Sequence, residues 1–167
     1  PTAGTLSGAL TVQGPMPVAG MNFPGSLKGS LNFVAQNLKL QNEKSAPLFF
    51  KQLEGTGDIK NHRVSYDLKG NAFNGTFHSD GIIRLAKTGA SLAVLDNKVT
   101  FTHLDLSQLP LSATEKTGTV SGTLKLKGPL PDPKNILTGN LKIDSTFKVT
   151  DLKMQVDTLP LNIQQLE

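Results

Sequence analysis

The chain contains no cysteine and no tryptophan in its 167 residues, and aromatic side chains make up only 5% of it. Without thiols there is neither a disulfide framework nor a thiolate nucleophile, although this alone does not choose a compartment. With so few large rings, any space between packed layers has to be filled mainly by aliphatic side chains. No apolar run approaches the roughly 18 residues of a spanning helix, and no leader pattern is visible, so this stretch is read as neither crossing a membrane by helix nor targeting itself. Basic residues outnumber acidic ones, 17 to 13, for a formal charge of +4. They are scattered singly, as in LKLKG and SLKGSL, which describes a solvated face and not a nucleic-acid footprint. The pairing of exposed rings with cations that clamps single strands is also missing, so no nucleic-acid partner is expected.

Signatures of catalysis are equally scarce. His62, His78 and His103 stand alone, outside any HxH or HExxH spacing, and no metal or cofactor is expected. No GxSxG elbow frames a serine. Asp58, Asp67, Asp80, Asp96 and Asp132 are read as turn-capping residues and not as paired catalytic acids. GTLSG and GTVSG lack the following helix and Lys-Ser/Thr of a phosphate loop. Asn74-Gly75-Thr76 has the form of a glycosylation sequon, but Asn-Gly is also a favoured hairpin turn. The chain is therefore read as no enzyme.

What the sequence does have is glycine (16), proline (10) and a Leu/Val-rich hydrophobic content of 37%. Residues alternate with the period of a strand, so that one face is wet and the other dry. Leu6, Gly8, Leu10 and Val12 share one parity, with Thr5, Ser7, Ala9, Thr11 and Gln13 on the other. The opening GTLSGALTVQGPMP returns 114 residues on, at Gly118, as GTVSGTLKLKGPLP; eight of the 14 positions are identical. In this copy Val120, Gly122, Leu124 and Leu126 share the dry face. The alternation recurs around Leu27, Leu31 and Phe33, around Val64, Tyr66 and Leu68, at Phe73 and Phe77, at Leu92 and Val94, at Val99 and Phe101, and from Leu141 and Ile143 onward. Turn signals fall at Gly14-Pro15, Pro24-Gly25, Gly70-Asn71, Ser79-Asp80-Gly81, Asp96-Asn97, Gly128-Pro129 and Pro131-Asp132-Pro133. This punctuation predicts about ten to thirteen strands in an all-β meander or Greek key. Ser45–Gly55, with a capping Ser, an early Pro47 and a closing Gly, predicts one short helix, and Gln108–Ala113 a turn-like excursion. A dry face of this length has to fold onto itself, pair with a second sheet, or hold an apolar ligand.

The span Ser91–Ile143 resembles the repeating units of the AsmA-like superfamily of envelope proteins, and within it the TamB-type proteins. The matching phrases are the LDL-SQ-LPL run from Leu104 to Leu111, the GxxSGxLxLxG hairpin from Gly118 to Gly128, the Pro-containing turn Pro129–Pro133 and the GxLxI strand Gly139–Ile143. The hairpin's earlier copy, Gly4–Pro17, extends the likeness to the other end, while residues 36–60 match less well.

The resemblance implies one long, curled, antiparallel sheet, an open taco-like groove, forming a single β-rich segment (residues 1–167) of a longer repetitive periplasmic protein. It implies an inner-membrane anchor outside this segment, in a diderm bacterium, and a role in phospholipid transport toward the outer membrane. It also implies outer-membrane protein assembly with an Omp85-type barrel partner. Phospholipid acyl chains would then lie along Leu6, Leu10, Val12, Leu27, Leu31, Phe33, Val64, Tyr66, Leu68, Leu92, Val94, Val120, Leu124, Leu126, Leu141 and Ile143. The alternative is a structural or chaperone-like β-domain that acts by protein contact without lipid.

Overall fold

A computed structural model describes residues 3–15, 26–40, 48–85, 93–109, 115–129, 141–156 and 159–166. They form nine strands: β1 (Ala3–Gln13), β2 (Lys28–Leu40), β3 (Leu48–Lys60), β4 (Arg63–Ala72), β5 (Gly75–Arg84), β6 (Val94–Asp105), β7 (Glu115–Pro129), β8 (Lys142–Val156) and β9 (Leu159–Leu166). A single 3-10 turn, Leu106–Gln108, follows β6. The strands lie in one antiparallel sheet in the order of the chain, so the fold is an open meander with β1 and β9 at its two edges. The expected all-β class, long open sheet and minimal helix are all present. Each strand packs chiefly against its neighbours in sequence, and no second layer covers either face among the described residues.

Two tight hairpins show how local chemistry sets the register. Asn61-His62 joins Lys60 to Arg63 with φ of 52° and 58°, and Phe73-Asn74 joins Ala72 to Gly75 with φ of 51° and 57°. Both residues of each turn are left-handed, the geometry whose twist matches that of the flanking strands. Asn tolerates this conformation through its short polar side chain, whereas His and Phe are held there by the ladders on either side.

Several sequence expectations give way to longer strands. The predicted helix over Ser45–Gly55 is strand from Leu48 onward, with Ser45–Pro47 outside the described residues. Phe50 and Leu53 pair with Leu38 and Ala35 of β2, and this cross-strand packing overrides the local cap-like signals, while Phe49 opposes Lys39 and stays half exposed. Gly70-Asn71, Ser79-Asp80-Gly81 and Asp96-Asn97 are not turns but lie inside β4, β5 and β6. That merging reduces the predicted ten or more strands to nine. Gly14-Pro15 and Gly128-Pro129 do fall at strand ends. Pro24-Gly25 and Pro131–Pro133 lie outside the described residues, as does most of the Gln108–Ala113 excursion.

The interior glycines are explained by what lies over them. Phe33 faces Gly8 on one side and Gly55 on the other, and Leu68 faces Gly55 from β4. A Cβ at Gly55 would overlap the Phe33 ring and come within 2.6 Å of Leu68 Cδ2. Phe77 likewise lies over Gly70, and Phe101 and Phe147 flank Gly122. Glycine in a strand normally weakens it, but here it provides the floor on which a large side chain lies flat.

The two copies of the repeated phrase adopt the same backbone. Gly4 and Gly118 have φ of 126° and 113°, each opposite a bulge whose left-handed residue is Asn37 in one copy and Asp151 in the other. Only glycine takes such a φ at low cost. Phe33 opposite Gly8 has its counterpart in Phe147 opposite Gly122. The repeat is thus a two-strand unit, with β1–β2 equivalent to β7–β8. We expect Gly55→Ala to destabilise the chain by about 1–3 kcal/mol through overpacking. Urea unfolding should show that adding Phe33→Leu restores part of that loss, and strict additivity of the two changes would rule out the ring-on-glycine account.

Candidate functional site

Directly opposed residues of an antiparallel ladder share a face, so the register maps the dry surface row by row. One row runs Val12, Gly29, Ile59, Val64, Ile83, Leu95 and Gly128, and the next runs Leu10, Leu31, Gly57, Tyr66, Gly81, Asn97, Leu126 and Ile143. A third holds Gly8, Phe33, Gly55, Leu68, Ser79, Val99, Leu124 and Ser145, and a fourth Leu6, Ala35, Leu53, Gly70, Phe77, Phe101, Gly122 and Phe147.

Across β1–β4 this face is concave. A groove of about 400 Å³, with almost no polar atom in its wall, is bounded by Leu10, Val12, Leu27, Leu31, Phe33, Val64, Tyr66 and Leu68. All eight are among the sequence candidates. Ile59 also lines it and is a residue the sequence reading missed. Carrying the parity of Val64 back through the Asn61-His62 turn would have found it.

The remaining candidates are distributed differently. Leu6 is on the dry face opposite Ala35 but outside the groove. Val120, Leu124, Leu126 and Ile143 share the face on β7 and β8, beyond β5 and β6 from the groove, and Leu141 immediately precedes β8. Leu92 lies outside the described residues. Val94 is a correction: it opposes Arg84 on the wet face, and Leu95 takes the dry position opposite Ile83. Because Asp96-Asn97 does not break the strand, parity runs unbroken from Phe101 back to Leu95, and a one-residue difference exchanges the faces.

The dry surface is barely covered. The buried hydrophobic side chains among the described residues are Leu27, Ala35, Ala72 and Leu106, whereas Leu6 is 72% exposed, Leu10 70% and Ile143 61%. The total accessible surface is 11686 Å², against about 8000 Å² for a compact chain of this mass. A polar seam interrupts the centre. Ser79 Oγ donates to Asn97 Oδ1 at 3.2 Å, and the Tyr66 ring lies over Gly81 beside them. Partial burial raises the Tyr66 phenol above its ordinary pKa, and its hydrogen bond with Ser79 offsets part of that rise.

The wet face carries Asp67, Lys69, His78 and Asp105. His78 Nε2 donates to Asp67 Oδ2 at 2.8 Å, and Lys69 Nζ lies 3.6 Å from Asp67 Oδ1. Chiefly through the His78 bond, the Asp67 carboxyl is held below the usual carboxylate range. Asp105 caps the 3-10 turn by accepting from the Ser107 amide at 2.9 Å and the Ser107 hydroxyl at 2.6 Å, and its carboxyl is lowered for that reason. The three histidines are on separate elements: His62 in a turn, His78 on β5 and His103 in the β6 bulge. Among the described residues no three metal-ligating side chains converge, and no helix is long and apolar enough to cross a membrane.

No protein-family model, no curated protein and no solved structure matches the chain.

Asp67 and Asp105 both have folded pKa values below their unfolded ones, so their contribution to stability is complete above the ordinary carboxylate pKa of about 4 and is lost as pH falls through the lower folded values. The urea midpoint should therefore drop between about pH 5 and pH 2, with a smaller drop in an Asp67→Asn, Asp105→Asn variant. Equal acid sensitivity of the two proteins would show that other carboxylates dominate.

Proposed function

We propose that this segment carries lipid acyl chains along its dry face, as one stretch of a periplasmic bridge between inner and outer membranes of the AsmA-like, TamB-type kind. The observation that carries this reading is the exposed groove of Leu10, Val12, Leu31, Phe33, Val64 and Leu68, on a face that no other part of the described chain covers. Such a surface in water is costly, and an acyl chain laid on it recovers roughly 0.8 kcal/mol per buried CH₂. The resemblance to TamB-type repeats supports the periplasmic setting and the lipid class. An open meander suits the task, because each added strand lengthens the surface without requiring a closed core.

A second reading has its own support. β1 is exposed along its whole length and its outer edge has no partner strand among the described residues, so its backbone groups are able to pair with an extended segment. In that reading the segment acts in outer-membrane protein assembly, alone or with an Omp85-type barrel.

Native mass spectrometry of the segment purified from a bacterial envelope separates the two. Phospholipid should accompany the wild type and be lost from Leu10→Asp, while Thr11→Asp, on the opposite face of the same strand, should retain it. Because Leu10 is already 70% exposed, its replacement should shift the melting temperature by no more than a few degrees. Lipid-free wild type that binds an unfolded β-strand peptide would favour the assembly reading.

A further inference from the structure

A second concave site lies on the face opposite the groove, at the end of β4 and β5 away from the Asn61-His62 turn. Asn71 and Thr76 oppose each other one step on from the dry pair Gly70–Phe77, so both turn to the wet face. With Phe49, Phe73, Asn74 and Gln108 they line an open depression of about 310 Å³, at the lower end of the range for small-ligand sites. Lys51 is the one charged side chain in its wall among the described residues.

Asp105 builds the rim. Its carboxylate accepts from Asn74 Nδ2 at 3.2 Å and from Gln108 Nε2 at 3.5 Å, and its amide donates to the Phe73 carbonyl at 2.8 Å. One residue therefore ties the β4–β5 turn to the 3-10 turn. Gly75 reinforces the junction, since a Cβ there would come within 2.5 Å of the Thr102 carbonyl oxygen on β6. Asn74 and Gln108 keep their carbonyl oxygens and a second N–H each, and Asn71 and Thr76 make no side-chain hydrogen bond with a described residue. The rings are the unusual part of the wall. Phe73 has a φ of 51°, in a turn position that suits Gly, Asn or Asp and where a bulky side chain is an outlier. Such an outlier points to function. Phe49, the other ring, is 50% exposed.

We infer that this depression is a saccharide-binding site, with Phe49 and Phe73 as its apolar platform and Asn71, Asn74, Thr76 and Gln108 as its hydrogen-bonding groups. A pyranose carries C–H groups on its faces and hydroxyls around its rim, so it needs an apolar surface beside groups that both donate and accept. A primary amide does both within one plane, which matches a pair of adjacent hydroxyls. A wall with a single cation is poorly suited to a polyanion. The backbone around it is engaged in the β3–β4 and β4–β5 ladders, which leaves no edge for a peptide strand. The inference is independent of the acyl-chain reading, because groove and depression lie on opposite faces.

The test is a two-dimensional NMR titration of the 167-residue chain with cellobiose, mannobiose and N,N′-diacetylchitobiose, which differ in hydroxyl orientation and acetamido content. At least one should bind with a Kd of about 1 mM or below and shift the amides of residues 71–76 and 105–108. Phe73→Asn and Phe49→Ala should each weaken that sugar about tenfold or more. Thr100→Ala, elsewhere on the wet face, and Leu10→Asp, in the groove, should leave it unchanged. Because Asn suits the left-handed turn, Phe73→Asn should melt within a few degrees of wild type. A fall of about 10 °C or more, or unchanged binding in this variant, would make the ring structural and overturn the platform. Phe49 and Gln108 are exposed, so Phe49→Ala and Gln108→Ala probe the same site without disturbing the turn; binding that survives in both overturns the assignment. So does the absence of any shift at residues 71–76 with all three sugars up to about 10 mM, or binding that maps to the groove and is lost in Leu10→Asp.

Discussion

The structure depends on large side chains lying flat over glycine in the neighbouring strand. A single-layer sheet cannot bury a side chain between layers, so the available apolar burial is lateral, along the ladder. Phe33 over Gly8 and Gly55, Phe77 over Gly70, and Phe147 with Phe101 at Gly122 are the points where that burial is concentrated. A standing ring on each strand would produce a ridged surface and require a facing sheet to fill the gaps. Rings laid over glycines produce a low surface that is complete without one. The same pairs fix the register, because a slip of one residue would place a phenyl ring against a Cβ and also turn the dry row to the wet face.

How far the sequence disclosed this follows from the same feature. Strand alternation, the repeated hairpin and eight of the groove's wall residues are legible because each depends on parity within one run. Glycine and Asp-Asn inside a strand are not legible, because in one dimension they read as punctuation. Gly70, Gly81 and Asn97 look like turn residues in one dimension, and only the strand beside them shows that Phe77, Tyr66 and Ser79 occupy the space above. Reading Asp96-Asn97 as a break puts Val94 on the wrong face, and Ile59 is hidden for a related reason, since its parity carries across a two-residue turn. The predicted helix at Ser45–Gly55 gives way because Leu48-Phe49-Phe50 reads equally well as the start of a strand, and the deciding partners, Leu38 opposite Phe50 and Ala35 opposite Leu53, lie upstream in β2, where no local signal within Ser45–Gly55 can show them.

The repeat shows what is held fixed and what varies. Between β1–β2 and β7–β8 the left-handed glycines, the opposing bulges and the ring-on-glycine pair coincide, and these are the features that fix twist and register. The lining varies: Leu31 in one unit corresponds to Ser145 in the other, and Gly29 to Ile143. A backbone specified this way tolerates changes in its dry face because, among the described residues, no second layer packs on that face. The surface is therefore free to alternate apolar stretches with polar seams such as Ser79–Asn97.

That seam bears on how an amphiphile would be held. Ser79 donates to Asn97 Oδ1 at 3.2 Å, which leaves the Asn97 amide N–H groups for an acyl chain to cover, so a chain crossing the seam would recover less there than over Leu31 or Leu124. Toward β5 and β6 the β1–β4 groove ends at this seam, so it is a bounded stretch and not a featureless slide. A surface meant to pass a ligand along requires binding strong enough to capture it and barriers low enough to release it. A groove that ends in a shallow polar step would meet both demands, whereas an unbroken aliphatic trough would meet only the first.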